Sequence, residues 1–267
     1  MVVVTAATAL APMSTMASGV QVATPQQKPD LQLLAGYKWL LVNAYDSTGQ
    51  VQPEWQGQGW PQIPVYFHES GSFGVSVCNS MNWRFVLAPG NTIKVVGYGV
   101  TTTAGCDGSL SQLQQRAHAL FSKGISYQLA ATTGKTPRLS LTFADGSRWE
   151  MQGEPTPRTK YGSEGTTVLL EVDGPHVSCQ PNKQSGTKCL RVRQVDWGVR
   201  DGKGIFLNQR PWRTMPLDAI DNYVHQPDWH GVLTIRQFDI TPNKPGAPAM
   251  AYLFVNEYTD FRLRGGQ

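Results

Sequence analysis

Short hydrophobic runs separated by turn-forming residues fill the first half of the chain. Such runs, rich in β-branched and aromatic residues and bounded by Gly, Pro and Asn, are typical of antiparallel β-strands. Residues 139–143 alternate strictly between apolar and polar, turn at Asp145-Gly146, and resume at Trp149 and Met151. That alternation predicts a hairpin with one buried face. The other strands predicted in this half are 36–44, 65–67, 73–78, 83–87 and 92–96.

One segment of this half has the spacing of a helix instead. Apolar residues recur there at intervals of three and four, which predicts an amphipathic helix whose apolar face packs on the sheet. Ser109, followed three residues later by Gln112, resembles a capping box at the helix start, and Gly124 is placed to end the helix. The apolar positions are Leu110, Leu113, Ala117, Leu120 and Phe121.

The second half of the chain predicts strands and no long helix. In the predicted strand 232–240, Leu233 and Ile235 are odd-numbered positions and would lie on one face of the strand. Phe238 and Ile240 are even-numbered and would lie on the other face, so we expect a bulge near 236–237 that keeps both pairs on the core side. The predicted strands are 168–172, 190–195, 205–207, 232–240 and 250–258.

A composition break divides the 267 residues, which exceed a typical single domain. Residues 153–165 hold three Gly, two Pro and little to bury, which predicts a linker between two domains, 31–152 and 166–262. The polar segment 24–30 predicts another linker, so folding should begin at Leu31. We predict a mainly β (α+β) protein in which the first domain carries one helix and the smaller second domain is all β.

Residues 1–23 resemble part of a secretory leader. Positions 2–12 are apolar, and Ala17, Ser18 and Gly19 provide the small residues of a cleavage region. No Lys or Arg precedes the apolar run, so a disordered cytosolic tail is the alternative interpretation. No later stretch approaches the roughly 20 apolar residues of a membrane span, and we expect a periplasmic or secreted protein without a transmembrane segment.

Composition and charge narrow the functional classes. The net charge is +4, charged residues make up 16% of the chain, and both signs are spread over both halves. A nucleic-acid-binding protein usually shows a basic patch or stripe, so we expect no nucleic-acid partner. No dinucleotide, phosphate-loop or nucleophile-elbow fingerprint is present, and we expect neither an enzyme nor a bound cofactor.

The four cysteines fall into two local pairs, one in each half of the chain. Cys78 pairs in this interpretation with Cys106, and Cys179 with Cys189. Two disulfides in an oxidising compartment would close loops of about 29 and 11 residues and stabilise the protein by roughly 3–4 and 3 kcal/mol. Cys106 lies just before the predicted helix, where the helix dipole would activate a free thiolate, so a reactive thiol is the alternative.

The irregular segment 208–230 holds the strongest candidate for a metal site, and a metal-dependent enzyme or a metal-binding protein that uses residues 221–230 is the alternative to a non-enzymatic function. Carboxylate and imidazole groups lie close together there, and transition metals bind both ligand types. Long irregular insertions are also often functional. The spacing matches no known signature, and the alternative is an exposed loop with incidental histidines. The candidate ligands are Asp221, His225, Asp228 and His230.

The order of motifs in residues 31–152 resembles the META/HslJ domain. Tyr37-Lys-Trp-Leu40, which includes Trp39, matches its opening W-x-L element. Val77-Cys-Asn79 corresponds to its G-C-N element, with Val77 in place of the usual small residue, and the Thr-rich stretch 101–106 precedes the helix as in that family. The resemblance implies a cracked antiparallel sheet near one helix, an envelope location linked to heat stress, and no catalytic residues. Asn79 follows a strand, where Asn commonly satisfies the backbone of a turn.

Residues 166–262 are similar to a bacterial domain family of uncharacterised function that commonly accompanies META domains. The similarity rests on Val177-Ser-Cys179, on the segment 188–193 and on Trp197. Together the two resemblances imply a non-enzymatic exported protein that acts in envelope maintenance or stress tolerance.

Three tryptophans are the candidates for a ligand cleft. Trp55, Trp60 and Trp83 are placed to line the mouth of a partly open barrel that binds an acyl chain or a partner strand. The alternative is packing in the core or at its rim, because aromatic residues commonly fill small β cores. We therefore expect a lipid or an envelope protein as the partner, and a structural role without a small ligand stays open.

Overall fold

The protein is mainly β, as the sequence predicts. The structure, a computed structural model, describes residues 27–56, 62–103, 105–130, 136–179, 187–200, 203–207, 209–227, 229–240 and 249–258. These residues form a closed eight-stranded antiparallel barrel, a second, curved sheet and few helices.

The elements follow one another along the described chain as two sheets with short helices. The helices are α1 (Gln27–Ala35), α2 (Gly108–Phe121) and α3 (Pro157–Tyr161), with a 3-10 turn at Pro53–Gln56. The barrel strands are β1 (Tyr37–Tyr45), β2 (Pro64–His68), β3 (Ser72–Ser76), β4 (Ser80–Ala88), β5 (Thr92–Thr101), β6 (Ile125–Ala130), β7 (Arg138–Thr142) and β8 (Arg148–Pro155). The strands of the second sheet are β9 (Thr166–Val172), β10 (Val177–Ser178), β11 (Lys188–Arg200), β12 (Lys203–Leu207), β13 (Arg213–Pro216), β14 (Ile220–Asp221), β15 (Gly231–Asp239) and β16 (Met250–Tyr258).

Each barrel strand pairs with the next strand in sequence, and β8 closes the barrel on β1. Leu139 pairs with Met151 and Leu141 pairs with Trp149, which confirms the predicted hairpin and its buried face. Inward apolar positions alternate with outward polar positions, as closure of a small barrel requires. The fully buried side chains of the barrel include Trp39, Phe73, Met81, Phe121, Leu139, Leu141 and Trp149.

The predicted linker 24–30 is wrong in its second half, because α1 begins at Gln27. Leu34 of this helix is fully buried, and the Trp39 indole N–H donates to its carbonyl oxygen at 2.9 Å. The polar residues of α1 are the reason why composition predicted a linker in this segment. A short helix needs only a few apolar side chains to dock on a sheet, and Leu31 and Leu34 provide them.

The predicted helix is confirmed as α2, but both of its predicted ends are wrong. Asp107 caps the start, since its carboxylate accepts the backbone N–H of Leu110 at 2.9 Å. Ser109 lies inside the helix and donates its hydroxyl to Asp107. The helix ends at a Ser122 cap rather than at Gly124. Asp is as good an N-cap as Ser, so two adjacent candidates left the start ambiguous in the sequence.

The second sheet has the order β10-β11-β9-β15-β16-β14, with β12 and β13 also paired to β11. Val192 of β11 lies between Val172 of β9 and Arg213 of β13, so β9 and β13 follow opposite edges of β11. Only residues 217–219 connect β13 to β14, and such a link spans at most about 14 Å. The sheet therefore curls until its edges approach, and Arg213 donates to the Tyr252 hydroxyl at 3.1 Å across the gap.

The predicted bulge near 236–237 of β15 is wrong. The pairing of β15 with β16 does shift, between Thr234 and Ile235, but the extra residue, Val255, belongs to β16, and the pairing of β15 with β9 is continuous. Strand β15 runs between β9 and β16 and is buried on both faces from 232 to 235. The alternation of apolar residues therefore does not identify a single core-facing side of β15, and Phe238 is buried without a bulge beside it.

The predicted linker 153–165 is partly regular, because it holds the end of β8 and all of α3. Tyr161 stacks on Phe238 of the second sheet with ring centroids 4.2 Å apart. Asp221 accepts hydrogen bonds from the Lys160 ammonium at 2.5 Å and from the Tyr161 hydroxyl. The segment thus makes specific contacts with the second sheet.

None of the helices in the described part of the chain has the length and apolar content that a bilayer crossing requires.

The contact of Asp221 with α3 should depend on pH. Burial disfavours the carboxylate, but hydrogen bonds from Lys160 and Tyr161 outweigh burial and hold the pKa of Asp221 below its ordinary value of 3.8. A lowered folded-state pKa stabilises the protein above the unfolded pKa, and that contribution is lost as the pH falls through the folded pKa. We expect Asp221→Asn to lower the free energy of unfolding at neutral pH by about 1 kcal/mol or less.

Urea denaturation at neutral and acidic pH measures this effect. The difference between the Asp221→Asn variant and the unmodified protein should shrink as the pH falls below 3.8. The matched control is Asp239→Asn, on the exposed end of β15, which should shift stability equally little at every pH. A constant deficit of Asp221→Asn down to the lowest pH would contradict the prediction.

Candidate functional site

Both predicted disulfides are present, Cys78–Cys106 in the barrel and Cys179–Cys189 in the second sheet. Asn79 is buried beside the first disulfide. Its side-chain amide lies 3.1 Å from the Cys106 sulfur, and its carbonyl oxygen accepts the Thr102 hydroxyl at 3.2 Å. Its backbone N–H donates to the Gln114 side chain at 2.7 Å. Asn79 therefore joins the β3–β4 turn to α2, which is a structural role.

The predicted tryptophan cleft is wrong for the residues that the structure describes. Trp55 and Trp83 are only 3% and 2% exposed and belong to the barrel core. Trp55 packs edge-on against Trp149 at 4.9 Å, and Trp83 stacks on Phe73 at 5.3 Å. Trp60 lies outside the described residues. The core-packing alternative holds for Trp55 and Trp83, because the barrel end needs large rings to fill it.

A continuous network of rings occupies the inside of the barrel. Phe121, the last residue of α2, contacts Phe73, Trp83, Phe143 and Trp149 with centroid distances of 5.0–6.0 Å. Cores packed in this way have few voids larger than a water molecule. An acyl chain would therefore have to displace buried rings in order to enter the barrel.

The predicted metal cluster is also wrong for its described members, because each of them is held by a different partner. Asp221 binds α3. His225 is buried, with Nδ1 bonded to the Tyr223 hydroxyl at 2.9 Å and Nε2 to the Gly174 carbonyl at 2.8 Å. His230 contacts the carboxylate of Glu171 in β9 and that of Asp173, the residue that follows β9. Asp228 lies outside the described residues, and the described residues contain no group of three or more His, Cys, Asp or Glu side chains arranged to hold a metal ion.

The second sheet instead carries an ionic cluster that sequence reasoning missed. Glu171 is 1% exposed although it occupies the side of β9 opposite Leu170 and Val172. Arg193 lies beside it on β11, with Nε 2.5 Å from one carboxylate oxygen. His230 Nε2 lies 3.1 Å from the other oxygen. A buried charge requires such compensation.

A second pair and one indole complete this cluster. Arg191 bonds Asp173 at 2.9 Å, and His230 Nδ1 lies 3.3 Å from the same carboxylate group. Trp212 lies over both guanidinium groups, 4.7 Å from that of Arg191 and 4.5 Å from that of Arg193. The positive and negative side chains are already paired with one another, so the cluster rigidifies the sheet and leaves little free charge for a ligand.

A concave surface lies on the outside of the barrel, across β6, β7, β8 and β1. We call it the outer groove; its volume is about 290 Å³. Gln128, Ser140, Glu150 and Asn43 form one row across the four strands, since each pairs with the next. The polar lining residues are Asn43, Gln128, Arg138, Ser140, Glu150 and Gln152.

A β-bulge shapes one wall of the outer groove. The pairing of β1 with β8 shifts between Leu41 and Asn43, which leaves Val42 as an extra, exposed residue on the wall. Gln56 donates its side-chain amide to the Val42 carbonyl and, at 3.1 Å, to the Asn43 side chain. Bulges bend a strand and re-aim its side chains, and they are frequent beside functional sites.

The side chains of the outer groove fall into a fixed group and a free group. Glu150 is fixed, because it accepts hydrogen bonds from Asn43 at 3.5 Å and Tyr45 at 3.3 Å and lies 3.3 Å from Arg148. In the described part of the protein, four side chains of the groove make no hydrogen bond or ion pair. These are Gln128, Arg138, Ser140 and Gln152. Free polar groups in a concavity are available to a ligand.

Comparisons with known proteins assign no family. No protein-family model matches the chain, and no curated protein matches it. An NMR structure of a protein from Burkholderia xenovorans is 17% identical, with 53% of this chain and 97% of that chain covered and a TM-score of 0.37. A second NMR structure is 20% identical, with 49% and 95% covered and a TM-score of 0.33. At such low TM-scores neither likeness identifies a fold or a function.

Proposed function

We propose that the chain is an exported, non-enzymatic protein of the cell envelope that acts by binding, in envelope maintenance or stress tolerance. The two disulfides support export, because such bonds persist in oxidising compartments. The leader-like residues 1–23 and the resemblance of 31–152 to the META/HslJ domain support an envelope location. The observation that carries the binding role is the outer groove with its free polar side chains.

The arrangement of the barrel favours a polar partner on its outer surface. The sequence leaves a lipid and an envelope protein open as partners. A lipid chain needs an apolar chamber, whereas the barrel interior is filled by rings such as Phe121 and Trp149. A lipid laid in the outer groove would leave Gln128, Arg138 and Gln152 without hydrogen bonds, which costs free energy.

The carboxylates of the two candidate sites support a non-enzymatic role. Glu150 of the outer groove is held by Asn43, Tyr45 and Arg148. Glu171 of the second sheet is buried and bonded to Arg193. General acid–base catalysis needs a carboxyl group that can reach a substrate proton. The Glu171 carboxylate is 1% exposed, and the partly exposed Glu150 carboxylate is engaged by three neighbouring side chains.

Cosedimentation with isolated cell envelopes tests the proposed function. We expect the purified protein to pellet with envelopes, but not with protein-free vesicles made from the extracted envelope lipids. Arg138→Glu should reduce the pelleted fraction sharply, because it reverses the charge of a free side chain in the outer groove.

The matched control is Arg84→Glu, which reverses an exposed charge on β4, outside the outer groove. This variant should pellet like the unmodified protein. Equal binding to lipid vesicles would favour the lipid alternative. Failure to pellet with envelopes, or equal binding by Arg138→Glu, would refute the role of the outer groove.

A further inference from the structure

The two disulfides of the protein differ in what surrounds their sulfur atoms. Cys78 and Cys106 are both half-buried, and their bond links the β3–β4 turn to the residue before the Asp107 cap of α2. Cys189 is only 3% exposed and pairs with Val177 in the ladder between β10 and β11. The second disulfide therefore reinforces two strands that are already hydrogen-bonded, whereas the first joins a turn to a helix.

The Cys106 sulfur lies between a hydrogen-bond donor and an acceptor. The Asn79 side-chain amide donates to this sulfur at 3.1 Å, and the Gln114 side-chain oxygen lies 3.8 Å from it. An N–H donor binds a thiolate more strongly than a neutral sulfur, because hydrogen bonds to ionised acceptors are the stronger ones. The Gln114 oxygen can accept the proton of a thiol. The adjacent Asp107 carboxylate is engaged by the helix, since it accepts the Leu110 backbone N–H at 2.9 Å.

The second disulfide lacks this arrangement. Burial blocks attack on the Cys189 sulfur, and attack on the half-buried Cys179 would expel Cys189 as a thiolate. No group in the described part of the chain donates a hydrogen bond to the Cys189 sulfur. A charge formed there would be almost fully buried without a partner, which is strongly unfavourable. Thiol–disulfide exchange, which is faster when the leaving thiolate is stabilised, is therefore favoured at the first disulfide.

The start of α2 depends on the first disulfide more than the rest of the helix does. Residues 107–112 are exposed or half-buried and make little apolar contact with the barrel. The buried side chains of α2 begin at Leu113 and continue with Ala117 and Phe121. Opening of the disulfide should therefore loosen the helix start and leave the remaining turns in place, because core contacts hold those turns.

We propose that Cys78–Cys106 is a site of reversible exchange with a dithiol reductant, and that Cys179–Cys189 is a permanent crosslink. A thiolate of the reductant attacks the Cys78 sulfur, the disulfide breaks, and its electron pair passes to Cys106, which leaves as a thiolate bonded to Asn79. The second thiol of the reductant then displaces Cys78 from the mixed disulfide. The two cysteines take up the two protons of the reductant, which becomes a disulfide.

This exchange goes beyond the proposed binding role and does not depend on the outer groove. An oxidised dithiol runs the same steps backwards and restores the bond. In an oxidising compartment the closed form is the resting state, and a dithiol reductant opens it.

Reduction of the full chain with dithiothreitol, followed by alkylation and peptide mass mapping, tests the proposal. We expect Cys78–Cys106 to open at least about tenfold faster than Cys179–Cys189, since only the first offers a reachable sulfur and a stabilised leaving group. The monothiol glutathione should form its mixed disulfide on Cys78 and not on Cys106. Equal rates, a faster second disulfide or a glutathione adduct on Cys106 would overturn the proposal.

A matched pair of variants tests the role of the Asn79 amide. Asn79→Asp replaces the N–H donor by a carboxylate of the same shape, and it should slow reduction of the first disulfide by about tenfold. The second disulfide of the same molecule should keep its rate. Asn82→Asp makes the same charge change on the exposed face of β4 and should alter neither rate. An unchanged or faster first reduction in folded Asn79→Asp would refute the role of the amide.

Hydrogen exchange of the unmodified chain measures the consequence for α2, and it decides the proposal even if Asn79→Asp does not fold. After reduction, the backbone amides of 110–112 should exchange at least about tenfold faster, and those of 113–121 should keep their protection. Oxidised dithiothreitol should restore both the bond and the protection. Unfolding of the whole barrel on reduction, or failure of the bond to form again, would show a purely structural crosslink. Either result would leave the cosedimentation test of the outer groove unaffected.

Discussion

Phe121→Ala is expected to lower the free energy of unfolding of the barrel by about 3–5 kcal/mol, the range for truncating a buried aromatic residue. Phe121 is fully buried at the end of α2. Its ring contacts Phe73, Trp83, Phe143 and Trp149, which belong to different parts of the barrel. The cavity cannot collapse easily, because rigid strands hold these rings apart.

Urea denaturation followed by tryptophan fluorescence measures this loss, since Trp83 and Trp149 lie beside Phe121. The control is Gln115→Ala on the same helix, an exposed position where the change should stay within about 0.5 kcal/mol. If Phe121→Ala cost no more than this control, α2 would not be an essential part of the barrel core.

Arg193→Ala is expected to lower the free energy of unfolding of the second sheet by about 3–4 kcal/mol. The variant leaves the Glu171 carboxylate 1% exposed and without its guanidinium partner. We place the effect below the top of the range for buried ion pairs because the Arg193 side chain is 19% exposed and water can partly replace it. His230 stays beside the carboxylate, and its own side chain is 40% exposed.

Two further variants decide whether the buried charge causes this loss. Arg191→Ala removes an arginine that is 45% exposed and paired with Asp173, and it should cost about 1 kcal/mol or less. Glu171→Leu/Arg193→Leu removes both partners and should be more stable than Arg193→Ala, because no unpaired charge stays buried. If the double variant lost as much free energy of unfolding as Glu171→Leu and Arg193→Leu lose separately when added together, packing and not charge would dominate at this site.

Local signals predicted much of the fold. Strict alternation with Asp145-Gly146 at the turn identified the β7–β8 hairpin, and helical spacing identified α2. These patterns involve residues that are close together along the chain, so they can be recognised in the sequence without the tertiary structure. Where a strand is buried on both faces, as β15 is at 232–235, the alternation of apolar residues does not identify one core-facing side, and β15 lacks the bulge that this alternation predicted.

The candidate sites were harder to predict because their residues are distant in sequence. The segment 208–230 suggested a metal site because its candidate ligands are close along the chain. In the folded protein, however, Asp221, His225 and His230 bond to Lys160, Gly174 and Glu171, which lie 61, 51 and 59 positions away in the sequence. The sequence around Trp55 and Trp83 holds no signal that distinguishes a tryptophan in the core from one that lines a cleft. Tryptophan occurs in both environments, and only the position of α2 decides whether these rings are buried.

The sequence by itself determined the β-rich class, the approximate positions of most strands and the cysteine pairing, because alternation, turn residues and short loops are properties of neighbouring residues. Only the tertiary structure decided which polar side chains meet. Closure of the barrel places Asn43 beside Glu150, 107 positions later, and curvature of the second sheet places His230 beside Glu171. No periodicity encodes such pairings, since they depend on how whole strands assemble.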